Sequence, residues 1–436
     1  MPPAKLSPAS PAFMLLGGIS SLPSGTLVRG LLHKPKTTPQ RYRDVEAEWD
    51  FFQLRTYGVG IPECASKMKR RSEASDRYFG VSGDDQYDMF LYTRISGQVE
   101  DLANYKHNGF HPVLLGDVLP KPNTSVGNLD KVPRYRILEK LGHGGFATVW
   151  LARDLADKRY VSVKICVGTD APELSNEAAI LSELRNVEQG KAGLERIIQL
   201  LDLFTIKGPN GFHECLVTEV VSPLSDIYDL GKWSPEVIRQ VLEGFSFLHE
   251  QGIVHGDPHL ANFGVALPQL EQSSEDNIID YFAIPEIIPV LPHDASLLMS
   301  SLPVYATPRV AMADFLNMIE SFPEELPICI KILDFGRAHR TSEKLTALPG
   351  AAPIIIRPPE VVVYDDSEGR AGSAWSKSAD IWAVGCTIYQ IQSHSQLIFT
   401  RGSLDDAFVE AVKLGGPPPD AWLGTWKNRS EHGNVH

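Results

Sequence analysis

The sequence predicts an α+β fold in which a strand-rich section precedes a mostly helical one. Three observations point there. Between residues 134 and 166, "RYRILEKLG", "FATVWLARD" and "RYVSVKIC" have the make-up of strands, joined through the turns "GHGG" and "DLADK". Later come "SPEVIRQVLEGFSFLHEQG" (234–252), with an apolar helical stripe, and "SADIWAVGCTIYQI" (378–391), a mostly apolar run. Strands grouped first and helices second give α+β rather than alternating α/β.

The 436 residues suffice for one large bilobal domain plus a tail. Apolar residues make up 43% and charged residues 22%, so most of the chain is expected to fold. The net charge of −13 argues against a nucleic-acid binder that relies on a positive field, and favours a basic protein partner. The five scattered cysteines lack metal-type spacing and read as free thiols of a reducing compartment. No apolar run approaches the roughly 18 residues of a membrane span. Residues 1–43 contain no Asp or Glu and carry Lys and Arg among Ser and Pro. They read as a disordered tail, with a mitochondrial presequence as the alternative. "KMKRR" (67–71) reads as solvated surface, with a nuclear signal as its alternative. The expected location is cytoplasmic or nuclear.

In chain order, residues 1–100 form an extension without sustained periodicity, 101–222 the strand-rich lobe with its lead-in, and 223–436 the helical lobe. "APELSNEAAILSEL" (171–184) sets Leu174, Ala178, Leu181 and Leu184 at helical spacing. In the 234–252 helix Ser234 is the expected cap, and Val237, Val241, Leu242, Phe245 and Leu248 the buried stripe. Residues 267–327 are interrupted by Pro and Ser and read as an insertion. "ICIKILDFG" (328–336) resumes as a strand ending in a tight turn, and "SLDDAFVEAVKLGG" (403–416) is a further amphipathic helix.

"GIVHGDPHLANFGVA" (252–266) lies just past a helix end, a setting in which loops often carry chemistry. Phosphoryl transfer needs a phosphate cradle, a cation, metal-holding oxygens and a residue that orients the nucleophile. The sequence offers each in order. Gly142, Gly144 and Gly145, with His143 between them, form a cradle over which backbone can lie close to phosphate. Leu141 and Val149 flank it. Lys164, in an apolar strand, requires a partner, and Glu177 on the next helix is the natural one. Asp257 is placed to take or orient a hydroxyl proton, and Asn262 to offer a carbonyl oxygen to Mg²⁺. Asp334 ends an apolar strand, and with Asn262 makes a metal site. His255 reads as a brace for the loop.

With these in place, residues 134 to about 425 resemble the eukaryotic protein kinase family. "HGDPHLAN" stands where that family has H-R-D-x-x-x-x-N, and "DFG" matches outright. "RPPE" (357–360) resembles the end of the activation segment. "SADIWAVGC" resembles the central helix whose Asp, here Asp380, ties down the catalytic loop. Within the family the chain resembles the fungal serine/arginine-rich-protein kinases, through "DLANYKHNGFHPVLLGDVL", "TVWLARD", "IKILDFGRAH", "DIWAVGCTIYQI" and the insertion.

The resemblance implies a bilobal kinase-like fold, ATP and Mg²⁺, and serine phosphorylation in Arg/Ser-rich protein segments. It puts the hinge at "LVTEVVS", where Glu219 and Val221 offer backbone groups to adenine and Thr218 stands behind. Asp226, Asp229, Glu236, Asp405 and Asp406 are the candidate acids for gripping substrate arginine.

Several positions depart from the pattern. Gly256 replaces the arginine before the catalytic Asp, which argues against switching by loop phosphorylation. Ala147 replaces the third glycine of the cradle. His259 replaces a lysine that contacts the transferred phosphate in the family. The family also pairs a residue like Glu360 with a buried arginine from C-terminal helices that this sequence does not reach. Two other readings stay open: a nucleotide-binding pseudokinase, and a small-molecule phosphotransferase, whose H-G-D-x-H-x-x-N loop "HGDPHLAN" also fits. Phosphotransferases of that type lack "RPPE" and "DIWAVGC".

Overall fold

The structure, a computed structural model, describes residues 99–127, 131–227, 234–282, 287–292, 297–319, 328–343, 352–400, 404–422 and 424. The expectations for the N-terminal extension, "KMKRR" and Asp229 lie outside these residues.

The three strands read from the sequence join three others in one antiparallel sheet, in the order β1-β2-β3-β4-β6-β5. Its strands are β1 (Val118–Leu119), β2 (Tyr135–His143), β3 (Ala147–Asp154), β4 (Arg159–Cys166), β5 (Leu200–Gly208) and β6 (Gly211–Thr218). The β2/β3 hairpin turns through the Gly-rich stretch. In the β3/β4 ladder Val149 lies opposite Lys164. One face of this sheet buries Tyr135, Ile137, Trp150, Val161, Val163 and Val217.

Helix α1 (Asn176–Arg185) starts later than the periodicity suggests. Ser175 caps it, its hydroxyl accepting from the Ala178 N–H at 3.1 Å, and Glu214 accepts from the Ser175 N–H at 3.0 Å. Leu174 therefore precedes the helix and is 63% exposed, a correction to its place in the stripe. Helix α2 (Ser234–Glu250) buries Val237, Val241, Phe245 and Leu248, but Leu242 is 47% exposed. A residue directly after Val241 is rotated by about 100° away from the stripe, which takes Leu242 off the core.

Next come β7 (Val221–Pro223), β8 (Ile253–Val254) and β9 (Phe263–Ala266), which lie around α2, and later β12 (Ile330–Ile332) and β13 (His339–Arg340). β12, β9 and β7 form one small sheet; β13 pairs with β8. The apolar side of α2 packs on this sheet with Phe263, Ile330, Ile332 and Phe335. Each such side chain, fully buried, stabilises by about 1.5–3 kcal/mol, which fixes the small sheet firmly on the helix.

The stretch 267–327, read as lacking a stable period, is ordered where described. It contains α3 (Glu275–Tyr281), the paired β10 (Ile288–Pro289) and β11 (Tyr305–Ala306), and α4 (Met312–Met318). Elements of two to seven residues are too short to leave a periodic signal. Leu267, Leu270, Ile278, Met312, Phe315 and Leu316 pack against Leu138, Leu151 and Tyr160 of the large sheet. The lead-in residues Val99, Leu102 and Phe110 pack with Ile288, Val290 and Leu302 of the same insertion.

The chain continues through α5 (Pro359–Asp366), α6 (Lys377–Ser393) and α7 (Leu404–Gly415). Among the described residues no helix is long and apolar enough to cross a membrane. Cys166, Cys215, Cys329 and Cys386 are free.

Candidate active site

The pairing of β9 with β12 assembles the first part of the site. Phe263 lies opposite Ile332, so Asn262 and Asp334 emerge from neighbouring strand ends. The Leu333 N–H donates to the Asn262 carbonyl at 2.8 Å. Asp334 has φ +58, a left-handed conformation unusual for a residue other than glycine. In it, one Asp334 oxygen lies 3.1 Å from Lys164 Nζ. Lys164 also holds both oxygens of Glu177, at 2.7 and 2.9 Å. The partner expected for the strand lysine is therefore found, and a second carboxylate joins it. Burial alone would depress the Lys164 pKa, but Glu177 and Asp334 overcome this and raise it. Burial pushes Asp334 up, yet the Lys164 charge and hydrogen bond hold its pKa below the ordinary value. Lys164 is thus a fixed cation between two carboxylates.

The loop 255–262 is held from beneath by Asp380, which is fully buried on α6. Its carboxylate accepts from the N–H groups of His255 (2.8 Å) and Gly256 (3.0 Å), and from Trp375 Nε1 (2.8 Å). His249 Nε2 lies 3.0 Å from it. His255 braces the loop as expected: its Nε2 lies 2.9 Å from the Leu333 carbonyl, and its Nδ1 accepts from the Asp257 N–H at 3.2 Å. Gly256 has φ +82, and a Cβ there would stand 2.6 Å from the Arg337 carbonyl oxygen. The glycine thus answers a backbone need, which the comparison with an arginine at that position does not reveal.

Asp257 is the most distinctive group. Its Oδ1 is buried and has no hydrogen-bond partner among the described residues. Its Oδ2 lies 3.8 Å from His259 Nε2 and 3.7 Å from Arg337 Nε. Burial raises its pKa, and the neighbouring His259, Arg337 and His255 only partly offset this. Burial lowers the pKa of His259 and keeps its imidazole neutral, while Nδ1 accepts from the Ala261 N–H at 3.2 Å. Asn262 Nδ2 donates to the Asp257 carbonyl at 2.9 Å, so its amide oxygen is not used in that bond. Arg337 carries no role in the sequence reading. Its place one residue past "DFG" is the signal that marks it.

At the cradle, Gly142 and His143 pair with Val149 and Thr148. A Cβ added at Gly142, Gly144 or Gly145 would meet nothing within 4 Å, so the loop borders open space. Leu141, Val149 and Val221 are half-buried. The Glu219 carboxylate pairs with Lys331 at 2.8 Å and accepts from the Gln199 N–H at 2.9 Å. Val221 enters β7 opposite Ala266. Asp334 and Asn262 are the residues that could offer oxygens to a divalent ion, and among the described residues no group of three or more His, Cys, Asp or Glu is arranged to hold one. That suits Mg²⁺, which is held by one or two protein groups with substrate phosphates and water completing its shell.

Of the acids considered for gripping arginine, Asp226 and Glu236 are engaged by neighbouring side chains. Asp226 forms a two-point ion pair with Arg309 at 2.8 and 3.0 Å. Glu236 is taken by Arg239 at 2.7 Å and Gln240 at 2.6 Å. Asp405 and Asp406 stand in the first turn of α7.

Comparisons with known proteins agree with this geometry. A family model described as the protein kinase domain matches residues 135–268. The serine/threonine-protein kinase spk-1 of Caenorhabditis elegans is 35% identical over 169 residues, 36% of this chain and 16% of that protein. Human SRSF protein kinase 3 is 33% identical over 174 residues, 36% of this chain and 28% of that protein. A serine/threonine protein kinase of Aspergillus fumigatus is 25% identical over 346 residues, 76% of this chain and 74% of that protein. The match thus spans less than a third of the nematode and human relatives. From its strand order, its catalytic-type loop and these relatives, the chain carries a protein kinase domain over residues 135–268 and is similar to the SR-protein kinases.

Proposed function

We propose that the protein transfers the γ-phosphate of ATP, with Mg²⁺, to serine hydroxyls in Arg/Ser-rich protein segments. The observation that carries this reading is the buried, unpartnered Oδ1 of Asp257, with Asn262, Asp334 and the Lys164–Glu177 pair on elements around it. In the reaction the serine oxygen bonds to the γ-phosphorus as the bond from that phosphorus to the bridging oxygen breaks and ADP leaves. The serine proton passes to Asp257. Lys164, anchored by Glu177, grips nucleotide phosphate. The glycines of the 142–145 loop lie over it, and Glu219 and Val221 offer backbone groups to adenine. Asn262 and Asp334 would hold Mg²⁺, which neutralises phosphate charge.

The relatives and the net charge of −13 support this substrate class. Purified chain with labelled ATP is expected to phosphorylate Arg-Ser repeat peptides on serine, ahead of Lys-Ser or acidic peptides. The guanidinium fork can grip a carboxylate with two bonds where an ammonium cannot. The preference is expected to narrow as salt rises, since the Debye length falls from about 10 Å at 0.1 M to about 3 Å at 1 M. Best activity on acidic peptides would contradict the substrate assignment and leave only protein kinase.

A second reading, nucleotide binding with little turnover, draws on the neutral His259 where the family has lysine. It expects His259→Lys to raise turnover severalfold; no gain removes the observation that favours it.

A further inference from the structure

Residues 307–310 of the insertion form a strap beside the Gly-rich strand β2. The Val310 N–H donates to the Lys140 carbonyl at 2.7 Å, and Lys140 Nζ donates to the Thr307 carbonyl at 3.2 Å. Lys140 is fully buried, ion-paired with Glu100, and stacked over Trp150 at 4.9 Å, so this end of the strap is fixed to the large sheet. Val310 and Leu141 pack together on the cluster that contains Val220, between Glu219 and Val221. The strap therefore lies against two walls of the space assigned to the nucleotide.

Arg309, one residue earlier, reaches the opposite lobe. Its two terminal nitrogens hold both oxygens of Asp226, at 2.8 and 3.0 Å. The Asp226 side chain is 4% exposed and that of Arg309 47%. Asp226 ends the short turn Leu224–Asp226 that follows β7. Leu224 is buried in the same cluster as Phe263, with Leu260 packed against it, and these two flank Asn262. Adjacent residues of one strap thus bond to the Gly-rich strand and to the floor beneath the catalytic-type loop. The Arg309 charge also reaches the Gly-rich loop: burial lowers the His143 pKa, Glu100 opposes this, and Lys140 and, last, Arg309 add to it.

We infer that Arg309 is a positioning residue for nucleotide: by joining β2 to Asp226 across the cleft mouth, it limits lobe opening and slows nucleotide release. This rests on reading the cleft as an ATP site. The bland alternative is a structural pin, which would change stability alone.

The test is the dissociation rate of a fluorescent ADP derivative with Mg²⁺ from the full chain, followed by stopped flow. Arg309→Gln and Asp226→Asn are each expected to speed release about three- to tenfold, the range for loss of a partly buried two-point ion pair. Arg309→Lys should fall between these and the parent. The double variant should release no faster than the faster single, because both act through one bond. KM for ATP should rise in proportion while kcat holds or increases. If Asp226→Asn fails to fold, Arg309→Gln carries the test, since its side chain is half exposed. Unchanged release with a lowered melting temperature overturns the inference and leaves the pin. A parent chain that binds no nucleotide overturns both this inference and the functional reading.

Discussion

Asp380 accepts a hydrogen bond from the His255 N–H at 2.8 Å, joining residues 125 apart in sequence. The same carboxylate serves Gly256 and Trp375, so its loss leaves several buried donors without acceptors. Each orphaned donor costs about 1–3 kcal/mol. Asp380→Ala is expected to lower unfolding free energy by at least about 3 kcal/mol and to abolish turnover. Chemical denaturation checks it, and a loss under about 1 kcal/mol contradicts the role given to this residue.

Asp334 is the only carboxylate in the proposed Mg²⁺ site. Asp334→Ala is expected to erase the part of ATP affinity that depends on Mg²⁺ and to leave the fold intact, because Lys164 keeps Glu177 as partner at 2.7 Å. Titration with ATP, with and without Mg²⁺, checks this. Equal Mg²⁺ dependence in the variant contradicts the metal assignment.

The burial of Asp257 sets a pH dependence. Its pKa is raised above the ordinary 3.8, and it acts as a base only when ionised. The acid limb of kcat/KM is therefore expected above that value, with activity falling as pH drops through it. Arg337 opposes the rise with its positive charge. Arg337→Gln should shift the limb further upward. A limb that stays in place, or moves down, contradicts the assignment of this group to the rate.

How much of this was legible beforehand depended on whether the signal was local. The Gly-rich hairpin, the Lys164 strand and the 252–266 loop carry their chemistry in short windows, so they could be read. The pairing of Lys164 with Glu177 followed because a buried ammonium demands an anion. The second partner, Asp334, depends on the β9/β12 register and a left-handed residue. The role of Gly256 depends on the Arg337 carbonyl, and that of Asp226 on Arg309 from the insertion. None of these long-range meetings leaves a periodic trace. Leu242 departs from the expected stripe for a related reason: its neighbour Val241 fills the core, and apolar character alone does not tell which face a residue takes.

Glu139 on β2 offers a test of stability apart from the chemistry. It is 3% exposed, and burial pushes its pKa up to about 7 from 4.5. Below 4.5 the folded and unfolded states both hold the proton. Between the two values only the folded state does, so stability falls as pH rises, and the loss is complete above about 7. Glu139→Gln is expected to stabilise by about 1–3 kcal/mol near pH 8 and to change little near pH 4. Melting temperatures across that range check it. A variant that is less stable than the parent at pH 8 contradicts the burial argument.

The role proposed for Asp257 is to direct a serine hydroxyl at the phosphate of bound ATP. The most direct measurement compares parent and Asp257→Asn in phosphate transfer from ATP to an Arg-Ser peptide, alongside ATP binding. Turnover is expected to fall by about 10²–10⁴-fold while nucleotide affinity stays nearly the same. Turnover equal to that of the parent would contradict it.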